Sequence, residues 1–180
     1  MKKVILASLI ALALGSTAAV SAAPSGNITI KGKLTAATCT VKVDSSATGD
    51  ATVTLPALPI NQLSEAGETA GVTNFVMKLS GCTPATGNVR AFFEAGANVD
   101  AATGRLNNSL TTGQAKNVQI QLRNDKDVIL EAGNTNQRTN ASSPLSAGAA
   151  VLTYNARYYA TGASTAGDLE SAVTYSIDYE

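Results

Sequence analysis

The chain contains no histidine and no tryptophan, and aromatic residues make up only 4% of its 180 positions. Without histidine there is no commonest general base, no usual zinc ligand, and no Ser-His-Asp or Cys-His arrangement. Charge is scarce too: 14% of residues are charged, and Lys+Arg and Asp+Glu are 13 each, for a formal net charge of zero. So balanced a chain offers no basic stripe to nucleic acid and no cationic face to an anionic membrane. No glycine-rich phosphate loop, metal-ligand cluster or nucleophile elbow occurs. The nearest carboxylate pairs, Asp125 with Asp127 and Glu65 with Glu68, fall in predicted turns, where acids are ordinarily solvated. These absences argue against an enzyme, and neither a metal nor a cofactor is expected.

Apolar residues reach 44%, and much of the remainder is Ala, Thr, Ser, Asn and Gly. That mixture suits half-exposed strands joined by polar turns and gives little to long solvent-facing helices. The length fits one domain. Residues 1–22 read as an export signal: Lys2 and Lys3, an apolar run from Val4 to Leu14 broken only by Ser8, then a small-residue stretch ending Val20-Ser21-Ala22. The apolar run is too short to span a bilayer, so the mature chain is not expected to insert into a membrane. Two cysteines, Cys39 and Cys82, remain in the exported part. An even count in an oxidising compartment points to one disulfide, whose loop closure stabilises by about 4 kcal/mol in the chain-entropy model. A redox pair is the poorer reading, because no Cys-x-x-Cys exists.

Just after the signal, Ile28, Ile30 and Leu34 share one parity with Gly32, while Thr29, Lys31 and Lys33 take the other. This is a strand with one face made to be buried. Leu34 is even but Cys39, Val41 and Val43 are odd, so a bend, bulge or change of partner is expected across Ala36-Ala37-Thr38. From pattern alone the segment can equally be the first strand of its own domain. Further strands are expected at Ala51–Leu55, Val72–Leu79, Val89–Glu94, Asn117–Arg123, Val128–Leu130 and Ala150–Ala160. Pro56 and Pro59 stop the first of these, and Pro144 disfavours a continuous helix across 131–148. Glu65 to Glu68 is read as a short helical turn or a loop. A last strand carries Val173, Tyr175, Ile177 and Tyr179 to the C-terminus. Six to eight short strands at this spacing indicate an all-β sandwich.

Taken in order, the signal, the alternating arm with Gly32, Ala36-Ala37-Thr38-Cys39-Thr40-Val41, Cys82, Ala156-Arg157-Tyr158-Tyr159-Ala160-Thr161-Gly162 and the penultimate Tyr179 closely resemble the type 1 major fimbrial subunits. Those are pilins of the chaperone-usher pathway of Gram-negative bacteria. The resemblance implies an incomplete immunoglobulin-like β-sandwich lacking its final strand, with an N-terminal donor-strand extension at 23–35 and a pilin domain at 36–180. It further implies that Ile28, Ile30, Gly32 and Leu34 are donated to a neighbour, with Gly32 meeting a shallow subsite, and that Val173, Tyr175, Ile177 and Tyr179 form the edge of the groove that a chaperone or donor strand contacts. The implied partners are identical or related pilin subunits, a periplasmic chaperone and an outer-membrane usher, and the implied destination is a fimbrium on the cell surface. A minor or adaptor pilin, or a carbohydrate-binding adhesin module, is the alternative. The scarcity of aromatics and the lack of room for a second domain weigh against the adhesin.

Overall fold

The computed structural model describes residues 27–31 and 38–180; the segment expected to be an export signal, Gly32, Leu34, Ala36 and Ala37 lie outside these. The chain divides into two units, Met1–Leu34 and Thr35–Glu180. In the first, residues 27–31 carry no regular secondary structure.

Among its described residues the second unit has nine strands: β1 (Thr38–Val43), β2 (Thr69–Thr83), β3 (Asn88–Phe93), β4 (Leu106–Asn107), β5 (Val118–Asn124), β6 (Ile129–Leu130), β7 (Ser143–Pro144), β8 (Ala150–Ala160) and β9 (Tyr175–Tyr179). They form two antiparallel sheets. The larger runs β1-β2-β8-β5-β4, with β6 also pairing β5, and the smaller runs β7-β3-β9. The helical elements among the described residues are two short 3-10 segments, Ile60–Gln62 and Thr135–Thr139. The second precedes Pro144, as the proline predicts. The β1–β2 register shifts between Thr38 and Thr40, at the end of the Ala36-Ala37-Thr38 stretch where a bend, bulge or change of partner is expected; Ala36 and Ala37 themselves lie outside the described residues. The strand expected at Ala51–Leu55 is not formed. Residues 51–59 have no assigned secondary structure, although Val53 and Leu55 still pack on the core.

Alternation decides which side chains enter the core. Phe75, Met77 and Leu79 of β2 pair with Tyr154, Leu152 and Ala150 of β8, and all six are buried. Phe93 of β3 meets Tyr154 edge-on at 5.3 Å between ring centroids and Phe75 at 6.4 Å, so one aromatic cluster joins the two sheets. The Tyr154 hydroxyl accepts the Ala91 N–H at 2.8 Å, and burial raises the pKa of that phenol. Cys39 and Cys82 form a disulfide that staples β1 to β2.

One edge of the smaller sheet is closed by a side chain. Beyond the short β7 pairing, the backbone of Phe93 is met by buried Gln137, which accepts the Phe93 N–H at 3.1 Å and donates to the Phe93 carbonyl at 3.0 Å. The amide thereby stands in for a strand residue. Gln137→Leu should keep the volume but orphan the buried N–H, lowering stability by about 2 kcal/mol. Urea unfolding measures this, and a loss below about 0.5 kcal/mol would count against the strand-mimic role.

Candidate functional site: the open edge of the smaller sheet

The other edge of that sheet is β9, which pairs with β3 on one side and with no strand on the other among the described residues. Asn88 and Glu180 exchange both backbone hydrogen bonds, at 3.2 and 2.9 Å, and the Glu94 N–H donates to the Thr174 carbonyl at 2.9 Å. Even-numbered residues therefore direct their backbone groups to β3. In an antiparallel pair the alternate residues point theirs the opposite way, so Tyr175, Ile177 and Tyr179 present their N–H and C=O groups to the open side.

The same three residues, with Val173, turn their side chains toward the core and remain half-buried. Val173 lies ahead of the strand, which begins at Tyr175. Across from them Cys39, Val41, Val53 and Leu55 are likewise half-buried and packed on the core. An apolar strip thus runs between β9 and the 39–55 stretch, with an unpaired backbone edge along one bank. Unpaired edges and contiguous apolar surface are both association sites.

Two tyrosines cross this strip. Tyr175 donates its hydroxyl to the Gly49 carbonyl at 2.8 Å, and Tyr179 donates to the Cys39 sulfur at 2.9 Å. Partial burial raises both phenol pKa values, Asp50 adding to the effect at Tyr175, and so favours the protonated, donating form. A Cβ at Gly49 would sit 2.7 Å from the Tyr175 hydroxyl oxygen, so a side chain there would displace the end of Tyr175. No local sequence pattern signals this contact.

The outer face of the smaller sheet holds β9 in place through charge. Arg90, buried on β3, pairs with Glu180 and donates to the carbonyls of Arg138 and Asn140. Arg138 in turn pairs with Asp178 at 2.7 Å and lies over the Phe92 ring. In the other unit, Ile28 and Ile30 are 86% and 90% exposed. No group of His, Cys, Asp or Glu able to hold a metal occurs among the described residues, and no helix there is long and apolar enough to cross a membrane.

The family model for type-1 fimbrial protein A matches residues 55–180. The chain belongs to the type-1 fimbrial protein family. The F17 fimbrial protein of Escherichia coli is 44% identical over 163 residues, spanning 86% of this chain and 87% of that protein. A major fimbrial subunit of Stenotrophomonas maltophilia is 41% identical over 162 residues, spanning 87% and 94%. Two solved structures share the fold at 20% identity. One is a chaperone-usher pilus (TM-score 0.59; 87% of this chain, 96% of that one). The other is the P pilus rod subunit PapA (TM-score 0.56; 79% and 99%). This type-1 fimbrial protein is accordingly a structural subunit of a fimbrial shaft, exported to surface fimbriae, and its sandwich is the incomplete immunoglobulin-like one expected.

Proposed function

We propose that the subunits polymerise by donor-strand exchange, residues 23–35 of one subunit completing the open β9 edge of the next. The observation that carries this reading is the coincidence on one bank of unpaired backbone groups and half-buried apolar side chains at Tyr175, Ile177 and Tyr179. The arm has the matching complement, a one-faced apolar row at Ile28, Ile30 and Leu34 interrupted at Gly32. Each large apolar side chain contributes about 1.5 to 3 kcal/mol when buried, and the new ladder satisfies backbone donors and acceptors. Strand addition of this kind is an established recognition mode of chaperones and pilins. An exported chain with such an edge needs cover before a neighbour arrives. A periplasmic chaperone supplies that cover, and an outer-membrane usher oversees the exchange. Residues 1–22 are removed on export, and 36–180 form the accepting body.

The register follows from shape. Laid antiparallel to β9, the four inward arm residues match the four inward acceptors in one way that sets Leu34 against Val173, Gly32 against Tyr175, Ile30 against Ile177 and Ile28 against Tyr179. The residue without a side chain then meets the tyrosine whose hydroxyl is committed to Gly49. The test is a subunit carrying both Ile30→Cys and Ile177→Cys. Hydrogen-bonded antiparallel pairs place Cα atoms about 5.5 Å apart, within disulfide reach. Oxidised fibres should give a reducible ladder of covalent multimers, and the offset pair Ile28→Cys with Ile177→Cys should give several times less. An equal or stronger ladder from the offset pair would overturn the register.

A further inference from the structure

Three carboxylates lie along the outer face of the smaller sheet near β9, and they are not equivalent. Glu180 and Asp178 are each paired with an arginine, Arg90 and Arg138. Glu94, just past the end of β3 and half-buried, has no cation within salt-bridge distance among the described residues. Its carboxylate accepts the Ser176 hydroxyl at 2.6 Å and so leans across β3 onto β9. Arg138 acts on it at longer range, and its guanidinium is already engaged by Asp178.

On the donor-strand reading, the outward arm residues stand against the outward residues of β9: Asn27 against Glu180, Thr29 against Asp178 and Lys31 against Ser176. The neutral arm residues thus meet the two carboxylates that already have arginines. Lys31 meets the serine that carries the free one. We infer that Glu94 and Lys31 of adjacent subunits form an ion pair across Ser176, on the solvent side of the joint. The inference rests on the donor-strand reading of the preceding subsection. The apolar row sets where the arm lies, but a slide by two residues keeps every apolar side chain facing inward. Of the two slides, the one that sets Lys31 against Thr174 leaves Thr29 at Ser176 and breaks the pair, whereas the other sets Lys33 there in the place of Lys31, so the charges discriminate against the first slide alone. Charge placement is a usual means of discriminating between such alternatives.

The experiment is charge exchange in the full chain, read as fibre yield per cell by electron microscopy and by heat-resistant ladders. Lys31→Glu sets two carboxylates together, and Glu94→Lys sets two cations together; each should lower yield by about five- to tenfold. The double variant Lys31→Glu with Glu94→Lys should return yield to within about twofold of the parent. Lys31 lies outside the folded body, so its reversal reports on the joint alone; if Glu94→Lys impairs folding, Glu94→Gln replaces it and should blunt the effect of Lys31→Glu. Single reversals without effect, or a double variant no better than the singles, would overturn the ion pair. Ile30→Asp serves as the separate control: fibres made normally by that variant would overturn donor-strand exchange itself, whereas its failure to assemble beside silent charge reversals would overturn only the Glu94–Lys31 contact.

Discussion

Replacing Ile30 with aspartate should leave a folded, exported subunit that is absent from fibres. Ile30 is 90% exposed and takes no part in the core cluster, so the body loses nothing. At the joint the change is severe. The isoleucine forfeits about 2 to 3 kcal/mol of burial, and the carboxylate that replaces it must be desolvated beside Ile177 at a cost of several kcal/mol more. A joint weakened by about 5 kcal/mol or more loses over three orders of magnitude in its association constant. Electron microscopy of the cell surface and the heat-resistant multimer ladder check this together. The subunit should accumulate in the periplasm in a protease-resistant form; wild-type fibres from this variant would refute the donated role of the arm.

The second large effect belongs to the disulfide. Replacing both Cys39 and Cys82 with alanine removes a crosslink closing 43 residues, which should destabilise the body by about 4 kcal/mol in the chain-entropy model. That is a large fraction of the roughly 5 to 15 kcal/mol typical of a domain. The loss should fall hardest on β1, an edge strand with a bulged register, and Tyr179 loses the sulfur to which its hydroxyl donates. A fall in the urea midpoint with a steeper slope, because the uncrosslinked unfolded chain exposes more surface, is the expected signature. A shift worth less than about 1 kcal/mol would mean that the loop is already constrained by other contacts.

Much of this molecule was legible in the sequence because alternation at period two marks the core-facing side of a strand, although Phe92, Gln119 and Gln121 on the opposite parity are buried as well. Phe75, Met77 and Leu79, Val118 and Leu122, and Leu152, Tyr154 and Ala156 all turn inward as their parity requires. The cysteines found each other, and the C-terminal alternation marked a strand, formed over Tyr175–Tyr179. Ala51–Leu55 misled the same rule. Val53 and Leu55 do face the core, but no neighbouring backbone pairs with them in the single chain, and side-chain parity says nothing about hydrogen-bond partners. Contacts between distant segments were beyond reach for a different reason. Gln137 on Phe93, Tyr175 on Gly49 and Arg90 on Glu180 join residues separated by tens of positions or more, and no local spacing encodes them.

The smaller sheet has one margin sealed by Gln137 and one left bare at β9. On the donor-strand reading, one arm meets one β9 margin at each link, so growth is linear. The two extremities of such a thread differ in kind, one offering a vacant margin and the other an unspent arm. Because each link uses unlike surfaces, rotation from one link to the next need not close into a ring. Length is then limited by supply and by whatever terminates an extremity, and never by the geometry of the repeating unit.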